Sequence, residues 1–196
     1  MALTRTTSIP ATPVTEKILL TGRPGCGKTT LIKRVIADLP QRAAGFYTEE
    51  IRHRGTRVGF KIVTLDGDEA VLAHVDLKTS EQLGKYRLDL SALETIGVKA
   101  IREAVQARRL VVIDEIGPME IRSPTFRDAV NEALDSAVSV LATISARSLP
   151  FTNAIKARSD VRLIEVRASN RERLVAELSK KFKRRRKGRD TARHNG

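Results

Sequence analysis

The sequence predicts an α/β fold, a mostly parallel sheet covered by helices on both faces and extended by an antiparallel meander. Short apolar runs of strand length alternate with segments whose apolar residues recur every three or four positions, the pattern of strands connected through helices. Two longer strand-like runs, 45–52 and 57–65, follow one another around a turn at 53–56 that contains Gly55, with no helix between them. A length of 196 residues fits one domain.

Residues 17–21 read as the first buried strand. Residues 28–39 carry Leu31, Ile32, Val35 and Ile36 at helical spacing and stop before Pro40, which cannot continue a helix. Residues 70–75 complete the meander. Residues 78–89, with Gly84, Lys85 and Tyr86 at their centre, read as a loop long enough to act as a lid. Leu93, Ile96, Ala100, Ile101, Ala104 and Val105 then share one helix face. An apolar strand at 110–113 runs into Asp114 and Glu115. Ser123 followed by Pro124 is a helix start, with Phe126, Val130 and Leu134 facing inward. Residues 138–144 and 161–166 read as two further buried strands. A last helix begins near Asn170, with Leu174, Val175, Leu178 and Phe182 on its apolar side. The expected organisation is a disordered lead-in at 1–15, a folded domain at 16–180 and a basic tail at 181–196.

Composition narrows the function. No run approaches the ~20 apolar residues that cross a bilayer, and the N-terminus lacks the apolar segment of a secretory signal. The single cysteine, Cys26, has no partner for an internal disulfide. A cytoplasmic protein without membrane contact is expected. Three scattered histidines and one cysteine build no zinc site, and no G-x-S-x-G serine is present. The net charge is +13, but residues 180–196 hold nine Lys and Arg against one Asp and so carry +8 of it. Such a block is a solvated end, an arm for RNA or DNA, or a patch for anionic lipid.

The chemistry begins at TGRPGCGKTT, residues 21–30, where Gly22, Gly27, Lys28 and Thr29 match G-x-x-x-x-G-K-[ST] between a strand and a helix. A loop of this kind wraps phosphates with backbone N–H groups and the positive end of the following helix. Gly22, Arg23, Pro24, Gly25, Cys26, Gly27, Lys28, Thr29 and Thr30 are therefore the candidate nucleotide-binding residues. Lys28 is spaced to reach the β- and γ-phosphates and the Thr29 hydroxyl to ligate Mg²⁺. Asp114, ending a buried strand, suits the same Mg²⁺, and Glu115 beside it either activates the attacking water or pairs with an arginine. Thr143 ends the next strand and either senses the γ-phosphate or is an ordinary strand threonine. Charge in the transition state calls for a further cation, for which Arg23, Lys85, Arg109, Arg122 and Arg147 are candidates and Lys85, in the lid, is preferred. Cys26 is either a small residue facing the loop interior or a thiol whose modification blocks the nucleotide.

In this order, TGRPGCGKTT, GFYTEEIR, GFKIVTLDG, GKY, VVIDEIGPME and ASNRERL make the chain similar, over about residues 16–180, to the small nucleoside-triphosphatase family first described from thermophiles, which has a human cancer-related member. The resemblance implies a three-layer P-loop NTPase sandwich related to recombinase cores and nucleotide kinases. It implies Mg²⁺-dependent cleavage of nucleoside triphosphates carrying several bases to diphosphate and phosphate. It assigns residues 22–30 to the triphosphate, Thr29 and Asp114 to magnesium, and Glu115 to water activation. Asn170 and Arg171, after the last core strand, become candidates for nucleobase contact, with helix capping as the other use of Asn170. Pro118 stands where many members have Lys, and the basic tail lies outside the family pattern. The expectation is a monomeric nucleoside-triphosphatase. Its rivals are a nucleotide or nucleoside kinase, with Glu115 or Asp89 taking a substrate proton, and an ATPase tethered to nucleic acid by the tail.

Overall fold

The computed structural model of the chain describes residues 15–39 and 42–184. The expected lead-in up to residue 14 and the tail from residue 185 lie outside the described residues. One sheet organises the rest, in the order β5-β6-β4-β3-β2-β7-β8-β1-β9. Its parallel part is β2 (Ala43–His53), β7 (Leu110–Ile116), β8 (Val140–Ile144), β1 (Lys17–Thr21) and β9 (Val161–Glu165). Antiparallel strands β3 (Thr56–Thr64), β4 (Glu69–His74), β5 (Gln82–Leu83) and β6 (Tyr86–Leu88) extend it on the β2 side.

Alternation along the strands divides the core into two layers. Ile113 and Ala142 face one layer, built with Phe46, Leu93, Ile101 and Phe126. Their chain neighbours Val112 and Leu141 face the other, with Ile18, Leu20, Ile32, Val35 and Leu174. Helix α1 (Lys28–Ala37) and α6 (Arg171–Arg184) cover the second layer. The first is covered by α3 (Lys99–Gln106) and α4 (Pro124–Asp135). This is the expected three-layer sandwich.

Local chemistry accounts for the helix limits. Asp89 caps α2 (Leu90–Ala92), its Oδ1 accepting from the backbone N of Ala92 at 3.0 Å, so it is not directed at a substrate. From α2 the chain passes through a π-helical stretch, Leu93–Val98, into α3. The wider turn rotates the apolar face, so Val98 is buried while Ile96 is only partly so. Ser123 caps α4 by accepting from the backbone N of Phe126 at 3.0 Å. At the other end of α4, the buried ammonium of Lys17 donates to the carbonyls of Ala133, Ser136 and Val138 at 2.9, 2.8 and 2.5 Å. A cation at a helix C-terminus complements the carbonyl dipoles there, and this one pins the start of β1.

Four expectations change. Residues 78–89 are not simply a loop: β5 and β6 form a hairpin turning at Gly84 and Lys85. β9 is not buried on both faces. Among the described residues it pairs only with β1, and Arg162 and Leu163 are exposed. A short helix, α5 (Pro150–Lys156), opens on a proline at its first turn where no element was expected. Helix α6 runs past Lys180 to Arg184, burying Phe182 and pairing Lys181 with Glu16 at 2.6 Å and Lys183 with Asp38 at 3.1 Å.

Candidate active site

The glycine-rich loop leaves β1 at the carboxyl edge of the parallel strands and enters α1 through Gly27. Gly27 has φ of 93°, a conformation L side chains rarely adopt, and a Cβ there would fall 2.7 Å from Arg171 Nη1. Arg171, from the first turn of α6, therefore lies over the loop. Lys28 Nζ donates to the Gly22 carbonyl at 3.3 Å and stands 3.9 Å from Glu115 Oε2, bringing the two motifs together.

Both acids close the carboxyl end of β7, where pairing with β8 shifts register between Ile113 and Ile116. Asp114 is buried. Its Oδ1 accepts from the Thr143 hydroxyl at 2.5 Å, while its Oδ2 is buried without a hydrogen-bond partner. Burial pushes the Asp114 carboxyl up, opposed by the hydroxyls of Thr143 and Thr29 and by the charge of Lys28. Thr29 thus faces Asp114 as a metal pair requires. One carboxylate, one hydroxyl and phosphate oxygens are the hard donors that suit Mg²⁺. Thr143 is not turned toward solvent: its hydroxyl is committed to Asp114. Burial also raises Glu115, opposed first by Lys28 and also by Arg147, while the charge of Asp114 adds to the rise.

A third acid, Glu120, was not foreseen. Gly117 and Pro118 fold the chain back over the strand end, and a Cβ on Gly117 would lie 2.9 Å from Glu115 Oε1 and 3.0 Å from Glu120 Oε2. A larger residue there would require the ends of these two side chains to shift. Burial pushes Glu120 up to about 8, with the charges of Glu115 and Asp114 adding to it and backbone N–H groups of Glu120 and Gly117 opposing. The Gly-Pro pair, a turn signal ahead of an acid, was the available clue.

Two clefts flank the loop. One, of about 400 Å³, runs between Arg23, Cys26 and the segment Glu165 to Ala168. Asn170 holds that segment in shape: its Oδ1 accepts from the Arg167 backbone N and its Nδ2 donates to the Glu165 carbonyl, both at 2.9 Å. The side chain thus stitches the loop rather than capping α6. The other cleft, of about 260 Å³, lies between Pro24, Glu115, Glu120, Arg147 and an apolar wall of Phe60, Leu83 and Met119. Among the cation candidates, Arg147 lines this cleft and Arg23 the first. Arg109 pairs with Asp66 and donates to the Ala43 carbonyl, and Arg122 pairs with Glu81. Lys85 donates to the Arg57 carbonyl at 3.1 Å, with its ammonium over the Tyr86 ring, so it is held on the hairpin.

Fold and site together define a phosphate-loop α/β protein with two adjacent carboxylates, Asp114 and Glu115, at the end of β7 beside the loop. The chain matches the family described as NTPase over residues 17–179, and it belongs to that family. The nucleoside-triphosphatase THEP1 of Thermotoga sp. (strain RQ2) is 51% identical over 162 residues, which cover 83% of this chain and 92% of that protein. The crystal structure of THEP1 from the hyperthermophile Aquifex aeolicus aligns with a TM-score of 0.76 at 36% identity, covering 83% of this chain and 96% of that one. The solution structure of a human cancer-related nucleoside triphosphatase aligns with a TM-score of 0.74 at 34% identity, covering 86% and 98%.

Proposed function

We propose that this chain hydrolyses nucleoside triphosphates to diphosphate and phosphate, with residues 22–30 holding the triphosphate and Thr29 and Asp114 holding Mg²⁺. The observation that carries the reading is the approach of Glu115 to Lys28, 3.9 Å apart at the mouth of the phosphate loop. Magnesium, when bound, supplies charge neutralisation of the β- and γ-phosphate oxygens. Lys28 orients the γ-phosphate. Glu115 aligns the attacking water and takes its proton, and Thr143 fixes the Asp114 carboxylate through its hydroxyl. Arg147, whose charge acts on Glu115 across the cleft, supplies the cation for charge developing on the γ-phosphate. The nucleoside lies in the cleft shaped by Glu165 to Ala168, with Asn170 and Arg171 supporting it from behind. In that lining Arg167 and Glu165 are paired with each other at 2.5 Å.

Among the described residues no helix is long and apolar enough to cross a membrane, and a lone cysteine suits the cytoplasm. The tail supplies positive charge for RNA or DNA, and the catalytic unit is proposed to work as a monomer. Phosphate release from ATP, GTP, CTP and UTP with Mg²⁺, compared between wild type and Glu115→Gln, tests the assignment. The expected result is a loss of about 10²- to 10⁴-fold in turnover with nucleotide binding retained. A variant that turned over normally would remove Glu115 from the mechanism.

A further inference from the structure

The cleft on the γ-phosphate side is larger and less polar than hydrolysis requires. A single water needs only about 10 to 15 Å³ of such space, whereas this cleft measures about 260 Å³, just below the ~300 Å³ at which small-molecule pockets begin. Phe60, Leu83 and Met119 form its apolar wall, packing against the core on one side while remaining partly exposed on the other. Part of the wall has fixed neighbours. Phe60 packs edge-on against buried Tyr86 with ring centroids 5.4 Å apart at 71°, and the Tyr86 hydroxyl accepts from Arg57 Nε at 3.0 Å. The β5–β6 hairpin, added at the far end of the sheet order, brings Leu83 to the same wall. Opposite stand the polar groups: Glu115 beside Lys28, buried Glu120, and Arg147 at the rim.

We propose that this cleft is a second substrate site, which takes a small primary alcohol carried on a flat, largely apolar ring and directs its hydroxyl at the γ-phosphorus in place of water. A ring lies against Phe60, Leu83 and Met119, the arrangement aromatic side chains favour, and its hydroxymethyl group meets Glu115. Buried Glu120 lines the same cleft and offers a polar group to a heteroatom on the ring. In the transfer, a bond forms between the alcohol oxygen and the γ-phosphorus. The bond from that phosphorus to the β–γ bridging oxygen breaks, and the nucleoside diphosphate leaves with its electron pair. The hydroxyl proton passes to Glu115. The step rests on the assignment of Glu115 as proton acceptor, and no oxidant or further reactant is needed.

The test uses the full chain with MgATP and either benzyl alcohol or 3-pyridinemethanol, with methanol at equal molarity as an alcohol too small to fill the cleft. Phosphorus NMR separates phosphate monoester from inorganic phosphate. The expected result is an ester-to-phosphate ratio at least tenfold above that with methanol. Leu83→Trp, which fills the cleft, and Phe60→Ala, which removes the stacking face, should each bring the ratio down toward the methanol value. Inorganic phosphate with no ester beyond the methanol ratio would overturn the second site and leave the hydrolase reading standing. Neither product from a nucleotide-binding protein would overturn both.

Discussion

Residue identity at the strand ends decides the chemistry, and two side chains there allow sharp tests. Arg147 lines the cleft beside Glu115, whereas Lys85 is held by the Arg57 carbonyl. Arg147→Ala is expected to lower kcat about 100-fold with KM little changed, the pattern of an interaction made in the transition state, as steady-state phosphate release would show. Glu120 offers a second test, by pH. Its folded-state value of about 8 lies above the ordinary 4.5, so between these values the folded chain binds a proton that the unfolded chain has lost. This contribution to stability is fully present below about 4.5 and is lost as pH rises toward 8. Thermal melts of Glu120→Gln should therefore fall less steeply than wild type across that window. Glu115 and Asp114 were legible as an acidic pair after an apolar run. Glu120 was not, because its approach depends on the Gly117-Pro118 fold-back and not on spacing along a regular element.

At the scale of elements, strand and helix identity followed from periodicity wherever an element is long and one face is buried. α4 shows why: serine, proline and apolar spacing all agree on its start. Its cap also bonds sideways, since the Ser123 hydroxyl donates to Glu94 Oε1 at 2.6 Å. Ser123→Ala should cost about 1 to 2 kcal/mol, read as a lower Tm with KM for nucleotide unchanged. Elements that escaped the sequence are short or two-sided. β5 has two residues and α5 has seven, too few to display a period. β9 looked buried because Val161, Leu163, Ile164 and Val166 outnumber Arg162 and Glu165 in that segment, a pattern which does not reveal whether a further strand will cover it.

For the whole molecule, the sandwich was implied by strands alternating with helices, but the order of the strands was not. Sheet order is set by which crossovers pack together, and composition carries no mark of it. The domain end was likewise placed too early. Basic residues suggested a tail beginning near Lys180, yet Phe182 is buried and continues the Leu174–Leu178 face of α6. Truncation after Arg184 should leave the melting temperature near that of the full chain. Truncation after Ser179 should cost about 3 kcal/mol or more through loss of Phe182, and chemical denaturation of the two shortened chains would separate these outcomes. Nucleic-acid affinity, if the tail supplies it, should vanish in both and should fall steeply with salt in the full chain.

Lys17 gives this architecture an anchor. Its ammonium is gripped by three carbonyls at the far end of β1 from the phosphate loop. A strand clamped at its foot cannot slide along its neighbours, so the loop at its head has no slack to draw from below. On the opposite side of the loop α1 packs on α6 and Arg171 lies over Gly27. The strand is thus fixed at its foot by a buried cation, whereas above the loop α1 and α6 are joined at the surface through Arg34 and Glu172.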